Sequence, residues 1–109
     1  MCGINGFNWK DEYIIEKMNC RLKHRGPDDE GVHADDDVSL GHLRLSIIDL
    51  SQNGHQPMSD SNGRFYIIYN GEVYNFNELK SELESSGYSF KSNTDTEVIL
   101  YSYIHWKER

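Results

Sequence analysis

The last stretch of the chain places the strongest limit on what it can fold into. Thr94-x-x-Glu97 reads as a capping box, and the helix it opens carries Val98, Ile99, Leu100, Tyr101, Tyr103, Ile104 and Trp106. That helix is apolar nearly all the way round, so it needs cover on several faces. No residues come after it to supply the cover. The chain is therefore expected to be the front part of a larger domain, incomplete at its C-terminus. An incomplete sheet leaves open edges, so a homodimer or completion by another chain is expected to hide this helix.

The 109 residues suit one small domain. With 37% apolar and 27% charged residues, the composition is globular rather than disordered. No apolar run reaches the length of a membrane span, and the N-terminus lacks the basic and apolar regions of a secretory signal. A cytoplasmic location is the expectation. The net charge of −7 argues against nucleic acid or an anionic membrane as partner, because both want a basic face. Two cysteines, Cys2 and Cys20, are too few for a disulfide scaffold. Cys20 and His24 have one helical turn between them but no second pair of zinc ligands, so no metal site is expected.

Residues 2–7 read as a short first strand. Asp11 and Glu12 start an amphipathic helix with Ile14, Ile15, Met18 and Leu22 at helical spacing. It stops before Gly26-Pro27, because Pro27 pushes its predecessor out of the α region. Residues 23–31 read as a polar loop and 32–48 as a hairpin turning at Asp35-Asp36-Asp37. Residues 50–61 look irregular, and two β-rich runs then flank Asn70-Gly71. Asn75 with Glu78 resembles a second capping box, opening a helix that carries Phe76, Leu79 and Leu83 and ends at Gly87. A short strand over 88–91 leads into the last helix. The fold class is α+β.

Cys2 stands directly behind the initiator methionine. Removing Met1 would expose a thiol and an α-amine on one residue. That amine has a reference pKa of about 7.7–8.0 and can take the thiol proton directly or through one water. No histidine is then needed as base. The remaining parts come in order: Lys23-His24-Arg25-Gly26-Pro27-Asp28 with Gly31, Arg44-Leu45-Ser46-Ile47-Ile48-Asp49, Gly54-His55-Gln56-Pro57, Asn70-Gly71-Glu72-Val73-Tyr74-Asn75 and Asp95-Thr96-Glu97. With MCGI, these fragments resemble the glutaminase domain of class II glutamine amidotransferases. RLSIIDLS and GHQP favour the branch of glutamine-hydrolysing asparagine synthetases.

The resemblance implies a partial N-terminal-nucleophile hydrolase fold, with two mostly antiparallel sheets between helical layers (αββα). It covers residues 1–109 as the N-terminal part of such a domain, with the ATP-dependent synthetase domain absent. No cofactor is then expected here, since ATP and magnesium would belong to that synthetase domain. The implied partner is L-glutamine. Cys2 would be the nucleophile, and Asn70 and Gly71 would supply the oxyanion donors. Arg44, assisted by backbone near Leu45 and Ile47, would hold the glutamine carboxylate, while Glu72 and Asp95 would meet its ammonium. Read singly, these residues have plainer roles. Asn-Gly between β-rich runs is a hairpin turn, Arg44 and Glu72 are surface strand charges, and Asp95 complements a helix dipole. The stretch 24–28 is expected to position its loop near Cys2 and to do no chemistry. A non-catalytic remnant that binds glutamine or a protein partner is the alternative function.

Overall fold

A computed structural model describes residues 2–45 and 52–107. Three antiparallel strands form the first sheet: β1 (Gly3–Phe7), β2 (Asp29–Ala34) and β3 (Ser39–Arg44), in the order β1-β3-β2. Gly3 pairs with Leu43, and Asp29 with Arg44. A two-stranded sheet, β4 (Met58–Ser59) with β5 (Tyr66–Ile67), follows. Helix α1 (Glu12–Arg21) packs on the first sheet, and α2 (Phe76–Ser85) packs against α3 (Asp95–Trp106). The domain is α+β with antiparallel sheets, as expected. Among the described residues no helix is long and apolar enough to cross a membrane.

The helix ends follow from local chemistry. Asp11 caps α1 by accepting from Ile14 N–H at 3.0 Å. Helix α2 closes in a Schellman motif, Tyr88 N–H to Leu83 O and Gly87 N–H to Glu84 O, both at 3.1 Å. Gly87 has φ 101°, the left-handed region where a side chain is strained. The apolar core gathers Ile15, Leu43, Met58, Leu83, Val98 and Leu100. Each such burial stabilises by about 1.5–3 kcal/mol.

Several expectations are corrected. The buried face of α1 is Ile15 with Asn19, while Ile14 is exposed. Asn19 goes inside because its amide donates to Gly31 O at 3.1 Å and its Oδ1 accepts from Asn5 Nδ2. Strand β2 begins at Asp29 rather than Val32, because β3 runs on to Arg44 and offers a partner there. No hairpin forms at Asn70-Gly71: only Tyr66–Ile67 is strand, and it pairs with Met58–Ser59 from the stretch that read as irregular. Residues 88–91 are not a strand. Instead Tyr88 and Phe90 lie against Tyr101 of α3, with ring centroids 5.4 Å apart in both pairs. Asn75 makes no side-chain cap on α2. The aspartate turn is where it was expected, with Asp35 Oδ1 accepting from Asp37 and Val38 N–H.

Helix α3 starts as a modified capping box. Thr94 Oγ1 accepts from Glu97 N–H at 3.4 Å, but Glu97 does not return to Thr94. Its carboxylate accepts instead from Lys91 N–H at 2.9 Å, Ser92 N–H at 2.8 Å and Ser92 Oγ at 2.7 Å. Glu97 is only 4% exposed. Glu97→Ala would leave those donors without an acceptor and is expected to destabilise the fold by about 2–4 kcal/mol. Urea unfolding should show a lower midpoint at an unchanged slope.

Candidate active site

The end of the first sheet and the start of α3 face each other across one cavity of about 430 Å³, a size that suits a small ligand. Cys2 lies just before β1. The Gly3–Leu43 pairing, carried one step further, sets it beside Arg44 at the end of β3. Leu45 N–H donates to Cys2 Sγ at 3.3 Å, and the thiol points back to Leu45 O at 3.7 Å. Both contacts hold the sulfur at the sheet end.

Arg44 is 6% exposed and lines the cavity. Gly54, closing the short turn Gln52–Gly54, packs so tightly against the guanidinium that a Cβ there would overlap it. The stretch 24–28 runs along the same strand end. Asp28 N–H donates to Arg44 O at 3.0 Å, and Gly26 lies too close to the Leu43–Arg44 backbone to carry a side chain.

Asn70, Gly71 and Glu72 come from the irregular run after β5 and line the same cavity. That run has no ladder to satisfy it, so side chains take over. Val73 N–H donates to Asp95 Oδ2 at 3.0 Å. Tyr69 N–H donates to Gln56 Oε1 at 2.7 Å, and Gln56 Nε2 donates to Thr96 Oγ1 at 3.1 Å. Tyr69 O meets His42 Nε2 at 3.1 Å. A carbonyl can only accept, so Nε2 carries the proton. Burial holds the His42 pKa below the ordinary histidine range, and the ring is neutral. The Tyr69 phenol is pushed up by burial and by the Asp95 and Glu72 carboxylates, so it stays protonated.

The cavity therefore brings together Cys2, Arg44, Leu45, Asn70, Gly71, Glu72 and Asp95. Ile47 lies outside the described residues. The sequence reading missed Gln56, Tyr69, Tyr74, Thr94 and Thr96, which also line it. Gln56 stood inside the GHQP stretch, and Thr94 and Thr96 flank Asp95. Tyr69 read as one more residue of a β-rich run. His55 turns instead to Asp29, Nδ1 to Oδ2 at 2.6 Å.

The glutamine amidotransferase domain family matches residues 1–109. Asparagine synthetase [glutamine-hydrolyzing] 1 of Bacillus subtilis (strain 168) is 47% identical over 99% of this chain and 18% of its own length. Asparagine synthetase [glutamine-hydrolyzing] 3 of the same organism is 42% identical over 99% of this chain and 19% of its own length. The putative asparagine synthetase [glutamine-hydrolyzing] 2 of Methanocaldococcus jannaschii is 45% identical, covering 94% of this chain and 24% of its own length. The chain thus spans less than a quarter of each of these relatives. By the match over all its residues, the chain belongs to the glutamine amidotransferase domain family.

Proposed function

We propose that this chain carries the glutaminase site of an asparagine-synthetase-like protein and releases ammonia from L-glutamine. The observation that supports this most is the convergence of Cys2, Arg44, Asn70, Gly71 and Asp95, from four separate stretches of the sequence, on one cavity. In this reading Met1 is removed and the freed α-amine takes the Cys2 thiol proton. The sulfur then attacks the side-chain amide carbon of glutamine. Asn70 Nδ2 and Gly71 N–H donate to the oxyanion that develops, a contribution of about 3–4 kcal/mol per donor. The protonated α-amine passes its proton to the departing nitrogen, which leaves as ammonia. Water adds to the resulting thioester, the carbon–sulfur bond breaks, and glutamate leaves with the thiol restored.

Glutamine is a zwitterion, so both its charges need partners. The planar fork of Arg44 matches the α-carboxylate, with backbone at Leu45 and Ile47 beside it. Asp95 and Glu72 meet the ammonium. The hydrolysis balances with water alone, so ATP and magnesium belong to the synthetase chemistry that would consume the ammonia. The wider fold is of the N-terminal-nucleophile type, two sheets between helical layers, and the protein works in the cytoplasm.

Intact mass spectrometry after treatment with a diazo-ketone analogue of glutamine tests the scheme. The expected result is a chain without Met1 that carries one adduct, mapped to Cys2. An adduct on Cys20 instead, or hydrolysis by a chain that retains Met1, would overturn it.

A further inference from the structure

Gln56 touches no reacting atom in the glutaminase scheme, yet it is 6% exposed in the cavity wall with both ends of its amide engaged. Strand β5 ends at Ile67, so among the described residues no neighbouring strand offers a carbonyl to Tyr69. Gln56 Oε1 takes that place at 2.7 Å from Tyr69 N. The other end of the amide is anchored at 3.1 Å on Thr96, in the first turn of α3 beside Asp95. On the far side of the same residue, His42 Nε2 holds Tyr69 O at 3.1 Å from strand β3. Both backbone polar groups of Tyr69 are thus gripped by buried side chains. The next two residues are Asn70 and Gly71.

The geometry points to Gln56 as a positioning residue that ties the Asn70-Gly71 run to α3 and so fixes the oxyanion donors relative to Cys2. The inference rests on the glutaminase reading. The chemistry selects glutamine at this place. The bridge needs an acceptor for a backbone N–H at one end and a donor to a hydroxyl at the other. Glutamate lacks the donor, asparagine is one methylene shorter, and methionine or leucine offers neither. A buried amide whose partners failed would be costly, so the bridge is all or nothing. Donors displaced by a fraction of an ångström lose their hold on the transition state while the ground-state contacts at Arg44 and Asp95 persist.

The test is Gln56→Met, close in volume and free of hydrogen-bonding groups, read in two ways. Glutamine hydrolysis is expected to lose on the order of 10- to 100-fold in kcat, with KM nearly unchanged. In an Asn70→Ala background the cost of Gln56→Met should shrink several-fold, because one of the donors it positions is already gone. Amide hydrogen exchange at Tyr69 should quicken by roughly tenfold or more whether or not the chain turns over. A rise in KM with kcat intact, or the same cost in both backgrounds, would overturn the inference. If the unaltered chain hydrolyses no glutamine, the functional reading falls instead, and unchanged Tyr69 exchange in Gln56→Met then removes the tether as well. Should that variant not fold, Thr96→Val cuts the bridge at its far anchor. It should give the same pattern at smaller size, and kinetics identical to the unaltered chain would end the proposal.

Discussion

Cys2→Ala is expected to lower kcat for glutamine hydrolysis on the order of 10⁴-fold or more, leaving glutamine affinity nearly unchanged. On the proposed reading, loss of the nucleophile removes the covalent route altogether, and what remains is the assistance that bound water receives from the oxyanion donors. Affinity should hold because the charged residues that meet the two ends of glutamine are left in place. Arg44 and Asp95 stay where β3 and α3 put them, and the replacement vacates only the position of the sulfur beside Leu45. A coupled ammonia assay and calorimetric titration with glutamine read the two quantities separately. Turnover at the original rate in this variant would place the nucleophile elsewhere.

Asn70→Ala should cost on the order of 10²- to 10³-fold in kcat, about 3–4 kcal/mol of transition-state stabilisation, with little change in KM. On the proposed reading, the side-chain amide meets charge that exists only after the sulfur has attacked. Removing it therefore leaves ground-state binding intact. Asn70 lies in an irregular run and is not part of a strand pairing, so the fold loses little with it. Steady-state kinetics against glutamine decide the matter. A rise in KM at constant kcat would assign Asn70 to substrate binding instead.

The site was legible in the sequence because its residues sit in short, unusual fragments whose order could be compared with a family. Arg44, Asn70 and Asp95 each had a plainer individual reading, and nothing in the spacing of the sequence shows that they line one cavity. The strands β1 and β3 and the helices α1 and α3 were legible through periodicity and caps. Strand β4 was not, since a strand of two residues has no period to detect, and β5 was legible only as part of a longer β-rich run. Residues 88–91 misled because an alternating Tyr-x-Phe pattern fits a strand as well as it fits two rings laid on Tyr101. Asn19 was passed over because a buried polar residue interrupts the apolar stripe by which a helix face is recognised. The Gln56 bridge was the least legible feature. A hydrogen bond from a side chain to distant backbone leaves no spacing in the sequence.

The pairing of Gly3 with Leu43 carries a further meaning for what this site could become. It sets the backbone of Cys2, one residue before β1, beside that of Arg44 at the end of β3, so the spacing of the two backbones belongs to the ladder and not to the lining side chains. On the proposed reading, that ladder is a ruler for the number of methylenes between the carboxylate and the amide of a substrate. Exchanging residues in the cavity wall would change how firmly the ruler grips. Changing the length it measures would require a new register between β1 and β3, and a one-residue slip turns every side chain of β1 to the opposite face. On that reading, substitutions in the wall would alter affinity and rate in small steps, whereas moving the backbones of Cys2 and Arg44 relative to one another would require rebuilding the sheet.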